Sequence, residues 1–425
     1  LGAFQPFAGN VCLFVVLRFL KRMKSLIILG LTLLWLVACQ RSAPDPAPGG
    51  TPLRLSSARF GSESSAFAFA FFKTLLAAEK PDANVLASPL SLHIALGMLL
   101  NGAEGKAADE LLAALRLTGY SPEQYNQLYR ELTTGLPAVD RRVTVAIANS
   151  VWHRQVVPVL PSYIAALQST FGAEVKPLTA DPTPINQWVS EKTAGKITKM
   201  FDSVDGDLVL LLLNAVYFKG DWKYQFDEKN TTNAPFAFPD GRKNLVPMMR
   251  QEGTFRYAFT PGYAAAELPY GAGDYRMTVV LPAAETDVNA FAATFDQTAW
   301  DGLQDQLREG GLIVKLPRFE FEYEYQPNLN ATLQALGIRA AFGGGLTKIR
   351  KEDDLFVSQV RQKAYIKTDE KGSEAAAVTS VGIALTSAGG PPPTPPTFLA
   401  DRPFLFFISE KNSGTVLFAG RVSVP

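Results

Sequence analysis

The spacing of apolar residues changes about midway along the chain, and with it the kind of element it predicts. Residues 64–78 are rich in Ala, Phe and Leu and contain no Gly or Pro, which predicts a helix. Ser88-Pro89 opens a second helix, with serine as N-cap and proline at the first helical position. That helix runs through His93 and Met98 to a stop at Asn101-Gly102. Residues 106–115, 122–133, 161–171 and 184–200 read as further helices. From residue 207 the pattern turns to strand. Residues 207–218 form an apolar run, as expected of a strand buried on both faces. Residues 275–281, 312–325, 356–367, 404–409 and 416–422 are also β-rich, with a short helix over 328–336. Helices first and strands later define an α+β chain built on a large central sheet. No internal repeat is visible.

Composition narrows the function. Of 425 residues, 47% are hydrophobic and 19% charged, the profile of a folded globular domain. Lys+Arg 41 against Asp+Glu 40 leaves a net charge of +1, and the body carries no basic run. A nucleic-acid partner is therefore not expected, nor is a polyanionic activator. The two cysteines, Cys12 and Cys39, precede the folded part, so neither a disulfide framework nor a cysteine metal site is expected. His93 and His153 are the only histidines, which excludes a His-rich metal centre. No cofactor is called for. A hydrolase would need a nucleophile, a base and an orienting group, and no Gly-x-Ser-x-Gly elbow occurs. Gly102-Ala103-Glu104-Gly105-Lys106 resembles a phosphate loop but lacks the required spacing. The chain does not read as an enzyme.

The N-terminal region reads as an export signal. The first credible start is Met23, which makes residues 1–22 an upstream extension. Lys24 supplies positive charge, and the apolar run over 26–38 is too short to span a bilayer comfortably. It ends Leu36-Val37-Ala38-Cys39, which resembles the bacterial lipobox. That resemblance implies a signal peptide over 23–38, cleavage before Cys39 and lipidation of its thiol. An ordinary signal, or an anchor helix continuing from the apolar stretch 11–20, is the alternative. Residues 40–52 are rich in Pro, Ala and Gly, so 39–56 are expected to be a lipidated tether and 57–425 the folded domain. Two acyl chains suffice for stable anchoring. The expected location is outside the cytoplasm: anchored at the cell surface or in the periplasm, or in the extracellular space.

One late segment combines the composition of a loop with the pattern of a strand. In Asp369-Glu370-Lys371-Gly372-Ser373-Glu374-Ala375-Ala376-Ala377-Val378-Thr379, Gly372 permits a backbone change and the residues after it are small. Read as a strand, Ser373, Ala375, Ala377, Thr379, Val381 and Ile383 share one small or apolar face suited to a tight sheet. Glu374, Ala376, Val378, Ser380 and Gly382 share the other. A flexible Ala-rich linker or an Ala-rich helix would have a similar composition. Residues 389–396, mostly Gly and Pro, form a stiff extended segment beyond.

Several collinear blocks place this segment in a family. Asn84-Val85-Leu86-Ala87-Ser88-Pro89-Leu90-Ser91 resembles the start of the second helix of serpins. Asn186-Gln187-Trp188-Val189-Ser190-Glu191-Lys192-Thr193-Ala194-Gly195-Lys196-Ile197 resembles their helix across the main sheet. Leu213-Asn214-Ala215-Val216-Tyr217-Phe218-Lys219-Gly220-Asp221-Trp222 resembles a central strand and its turn. Val246-Pro247-Met248-Met249, Leu316-Pro317-Arg318-Phe319 and Asp401-Arg402-Pro403-Phe404-Leu405-Phe406 are similar to further family blocks. The resemblance covers nearly all of residues 57–425.

It implies the serpin fold, eight or nine helices around three sheets, and an exposed reactive loop over 370–396. It also implies an inhibitor of serine proteases that acts as a suicide substrate. The hinge would be Glu370, Lys371, Gly372, Ser373, Glu374, Ala375, Ala376 and Ala377. Counting sixteen positions on from Glu370, as in inhibitory serpins, places the cut at Thr386–Ser387, with Leu385 as the register alternative. Thr386 suits an elastase- or subtilisin-like protease and Leu385 a chymotrypsin-like one; a cysteine protease is a further candidate partner. Arg318 would pair with Glu370 at the top of the gap where the sheet opens, and Trp222 would pack nearby. Ser88, Ser91 and Asn214 match the polar cluster beneath the sheet. The chain departs from the family at Gln362, where serpins commonly carry His, which puts pH-dependent opening there in doubt. A monomer is expected. The rival reading is a non-inhibitory serpin acting as carrier, chaperone or surface-binding protein.

Overall fold

The computed structural model describes residues 50–325, 328–352, 355–373 and 394–425. Cys39, the expected signal peptide, and the loop positions Glu374, Ala375, Ala376, Ala377, Leu385, Thr386 and Ser387 lie outside the described residues.

Nine helices are described: α1 (Phe60–Ala78), α2 (Pro89–Leu100), α3 (Gly105–Ala114), α4 (Pro122–Gly135), α5 (Pro161–Phe171), α6 (Thr183–Lys192), α7 (Val288–Thr294), α8 (Gln297–Gln306) and α9 (Asn330–Ala335). Their starts follow local chemistry. Ser88 caps α2 through its hydroxyl to the Ser91 N–H, with Pro89 at the first position. Ser121 and Gln124 make a reciprocal capping box on α4, again with proline, Pro122, at the first position.

The strands are β1 (Val85–Ala87), β2 (Val143–His153), β3 (Glu174–Pro177), β4 (Leu210–Asp221), β5 (Thr232–Ala237), β6 (Lys243–Phe259), β7 (Tyr263–Tyr270), β8 (Tyr275–Pro282), β9 (Arg308–Pro317), β10 (Phe319–Glu324), β11 (Lys363–Thr368), β12 (Gly372–Ser373), β13 (Thr397–Leu399), β14 (Phe404–Glu410) and β15 (Val416–Val422). They form three sheets among the described residues. The largest is nine-stranded and mixed, in the order β1-β15-β14-β8-β7-β6-β9-β13, with β5 added on β6. Its β13 runs parallel to β9 and its other pairs are antiparallel. A four-stranded sheet runs β12-β4-β2-β3, and a two-stranded sheet joins β10 to β11.

Several expectations need correction. Strand β4 is not buried evenly on both faces; burial alternates along it. Leu211, Leu213 and Ala215 are buried in a small cluster with Trp152, Ile185, Trp188 and Val189 beneath α6. The opposite face, with Leu210, Leu212 and Val216, packs on the main core but stays half-buried. Helix α6 stops at Lys192 rather than 200, because Ala194 and Gly195 take the left-handed conformation. The run 312–325 is two strands: Pro317 has no N–H, and Arg318 turns its own to the Pro247 carbonyl at 3.0 Å. Strand β11 begins only at Lys363, so 356–362 is not strand. The Thr51 N–H reaches the Ala138 carbonyl at 2.7 Å and Leu53 is buried in the main core, so the folded body already includes residues 51–55.

Candidate functional site: the slot between β4 and β11

Strand β4 is laddered to β2 along its full length, and β11 to β10. On the facing edges the pairing ends almost at once: among the described residues β4 is met only by the two-residue β12, and β11 has no other partner. The space below holds a cavity of about 280 Å³, whose lining includes Leu210, Leu212, Asn214, Val216, Ser88 and Ala364. Two strand edges that face one another with no described strand between them can accept a further strand.

The top of the slot is closed by the turn between β11 and β12. The Asp369 N–H donates to the Gly372 carbonyl at 3.0 Å, and the Lys371 N–H to Asp369 Oδ1 at 3.0 Å. Gly372 and Ser373 then pair antiparallel with Asp221 and Gly220. A Cβ on Gly372 would lie 2.2 Å from the Gly220 carbonyl oxygen, so only glycine permits this approach. Ser373 is buried, with its hydroxyl 2.7 Å from the Tyr270 hydroxyl and 3.5 Å from that of Thr368.

Four residues hold this turn, three through side chains and Phe226 through its backbone. Trp222 stacks on Tyr270 at 4.3 Å and donates its indole N–H to the Asp369 carbonyl at 2.9 Å. Its backbone N–H reaches the Lys371 carbonyl at 2.7 Å, and that of Phe226 the Glu370 carbonyl at 2.9 Å. Arg318 Nε contacts both carboxylate oxygens of Glu370, at 2.7 and 2.8 Å, and Thr231 donates to Oε1 at 2.5 Å. The pair is buried on one side only: the Glu370 side chain is 4% accessible and that of Arg318 44%. Burial pushes its carboxyl up, but the Arg318 guanidinium and the Thr231 hydroxyl outweigh it and hold the group below the usual carboxylate range.

The polar cluster lies lower in the slot. Ser88 Oγ donates to the Leu417 carbonyl at 2.9 Å, so Ser88 both caps α2 and ties it to β15. Ser91 Oγ donates to the Asn214 carbonyl at 3.3 Å. Gln362 does not join Asn214. Its carboxamide accepts from the Ser88 N–H at 3.1 Å and donates to the Ser88 carbonyl at 2.8 Å. Asn214 Nδ2 donates to Asn149 Oδ1 at 2.7 Å, and Asn149 Nδ2 to the Phe171 carbonyl at 2.8 Å. Asn214 Oδ1 is buried with no hydrogen-bond partner among the described residues.

The structure thus brings Trp222, Arg318, Glu370, Lys371, Gly372 and Ser373 together at the top of the slot, and Ser88, Ser91, Asn214 and Gln362 beneath it. Sequence reasoning missed Thr231, Tyr270 and Asn149. Thr231 and Tyr270 stand outside the family-like blocks. Asn149 had a usable signal, as a polar residue among the apolar ones of β2.

Comparison with known proteins agrees with this architecture. Residues 62–425 match the family Serpin (serine protease inhibitor). Iripin-2 of Ixodes ricinus is 35% identical over 356 residues, spanning 81% of this chain and 88% of that protein. The leukocyte elastase inhibitor of Sus scrofa is 33% identical over 378 residues, 84% of this chain and 97% of its own. Among solved structures, the thermophilic serpin tengpin in its native state superposes with a TM-score of 0.78 at 26% identity, covering 89% of this chain and 97% of tengpin. The protein belongs to the serpin family.

Proposed function

We propose that this serpin is a serine protease inhibitor of the suicide-substrate kind. The observation that carries the reading is the seating of Gly372 and Ser373 as the first residues of an antiparallel strand at the top of a slot whose facing edges lack other described partners. The elastase inhibitor among its relatives supports the same reading.

The target's nucleophile would attack the carbonyl carbon of Thr386, or of Leu385 in the alternative register. An ester to the protease forms, the peptide bond to Ser387 breaks, and the new amine leaves with a proton. The freed segment then follows Ser373 into the slot. Thirteen further residues at about 3.3 Å each carry Thr386, with its protease, roughly 43 Å along the sheet. Displacement disorders the protease's oxyanion hole, so the ester outlives the encounter. New ladder bonds at about 1 kcal/mol each help drive the movement. Outcome is a race between insertion and hydrolysis of the ester.

The test is incubation with elastase, subtilisin and chymotrypsin, followed by denaturing electrophoresis and mass spectrometry. A covalent adduct that survives denaturant is expected, with the bond at Thr386–Ser387. If every enzyme in the panel stays active and leaves only cleaved inhibitor, the inhibitory reading fails.

A further inference from the structure

The chain contains two triplets of the form Asn-x-Thr, the acceptor sequence for N-linked glycosylation: Asn230-Thr231-Thr232 and Asn330-Ala331-Thr332. A triplet this short also arises by chance, so the fold decides which of the two could be used. The requirements are physical. The asparagine carboxamide must be free to enter a transferase. The hydroxyl two positions on must be free to be recognised beside it, and the backbone between them must be extended.

The first triplet meets all three. Asn230 ends a short 3-10 turn, Glu228–Asn230, whose residues are all exposed. The turn is closed by its backbone: the Asn230 N–H donates to the Asp227 carbonyl at 2.9 Å and the Thr231 N–H to the Glu228 carbonyl at 3.2 Å. The Asn230 carboxamide has no hydrogen-bond partner among the described residues. At Thr231 the chain becomes extended, with φ −81° and ψ 121°. Thr231 turns inward, where its hydroxyl donates to Glu370 Oε1 at 2.5 Å. On an extended chain the two neighbours of an inward residue point the other way, so Asn230 and Thr232 share the outward side. Both are exposed. Thr232 opens β5, an edge strand paired only with β6 among the described residues. Glu228, two positions before Asn230, is exposed as well and completes the stricter form of the acceptor sequence, which asks for an acidic residue there.

The second triplet does not. Asn330 opens α9, and residues two apart on a helix do not share a face. Its Oδ1 accepts from the Val360 N–H at 2.9 Å and its Nδ2 donates to the Ser358 carbonyl at 2.8 Å, so the carboxamide is held at both ends. Thr332 is buried.

We propose that Asn230 is the acceptor of an N-linked glycan. The co-reactant is an oligosaccharide carried on a lipid pyrophosphate. The Asn230 amide nitrogen attacks the anomeric carbon and a C–N bond forms. The C–O bond to the pyrophosphate breaks, the lipid pyrophosphate leaves with the electron pair, and the nitrogen gives up one proton. A bulky, hydrated glycan at the first residues of an edge strand also guards that edge against pairing with another chain. Transfer of this kind takes place outside the cytoplasm, so the proposal includes export of the chain. It is independent of the inhibitory reading, and neither needs the other.

The test has two arms. In the first, the folded full-length protein is incubated with an oligosaccharyltransferase and a lipid-pyrophosphate-linked oligosaccharide, and glycopeptides are located by mass spectrometry. One glycan is expected, at Asn230. It should be absent from Asn230→Gln, reduced at least tenfold in Thr232→Ala, and retained in Thr232→Ser. Transfer to the urea-unfolded chain but not to the folded protein would overturn the proposal, as would transfer to Asn330 in the folded protein or no transfer to either form. In the second arm, protein isolated from the organism that makes it should carry the added mass on the peptide containing Asn230. An unmodified Asn230 there would overturn the proposal whatever the first arm gives.

Discussion

His93 is one of two histidines in the chain and is wholly buried, with Nε2 3.1 Å from the Leu115 carbonyl and Nδ1 3.1 Å from the Tyr129 hydroxyl. Phe60 and Phe67 pack edge-on against its ring. Desolvation lowers its pKa to about 4 from an ordinary 6.5, and the Leu115 carbonyl opposes this only in part. The folded state therefore holds the neutral ring while the unfolded chain protonates. The stabilisation is complete above pH 6.5 and is lost as the pH falls from 6.5 towards 4, by about 3 kcal/mol in all. Urea midpoints should fall across that window in wild type, and the fall should shrink in His93→Gln, which keeps hydrogen-bonding capacity without titrating there. Matching slopes would show that other groups set the acid limit. At this same scale, Arg318 and Glu370 were legible because both stand in family-like blocks, 52 positions apart. Thr231, which completes their contact, was not. A threonine after a short 3-10 turn, in Asn230-Thr231-Thr232-Asn233, carries no signal until folding brings Glu370 to it.

The hinge is the element on which the proposed function turns. Gly372 is tied by close approach to Gly220, and Ser373 is buried with its hydroxyl against those of Tyr270 and Thr368, so a long charged side chain there would have to be desolvated. Replacing Ser373 with Arg should block seating at the first step. The protein should then be cleaved without trapping, with at least a tenfold loss of covalent complex, read by gel densitometry. An undiminished yield would sink the strand-seating account. The elements were unevenly readable. Helices α2 and α4 announce themselves through Ser-Pro starts. Strand β2 hid among the predicted helices because its Val143–His153 run mixes Ala, Asn and Ser with apolar residues, and its order comes from the β4 ladder. The 17-residue β6 escaped because Pro247 and Gly253 interrupt it. Non-local pairing with β5, β7 and β9 holds it in one piece.

At the scale of the whole molecule, β4-β2-β3 and β10-β11 are separate among the described residues, so two half-sheets share one slot. A chain that can still add a strand between them has stability in reserve. Cleavage of the loop should raise the thermal unfolding temperature sharply, measured by calorimetry on native and nicked protein. An unchanged transition would argue against any such reserve. The α+β class was readable from the order of helices and strands. The two half-sheets were not, because a strand's missing neighbour leaves no mark on its own residues.

Strands β14 and β15 stand inside the nine-stranded sheet, between β8 and β1, and every residue in them is buried. The Leu417 carbonyl also receives the Ser88 hydroxyl that caps α2. For a ribosome, this means that β1 leaves the exit tunnel more than three hundred residues before its partner exists. At ordinary elongation rates of about 5–20 residues per second, the wait is tens of seconds. Through that interval α1, α2 and β1 must travel with their apolar faces unsealed. The burden of making this protein therefore falls on whatever shields a nascent chain, and the last strands to be synthesised decide whether the first ones survive.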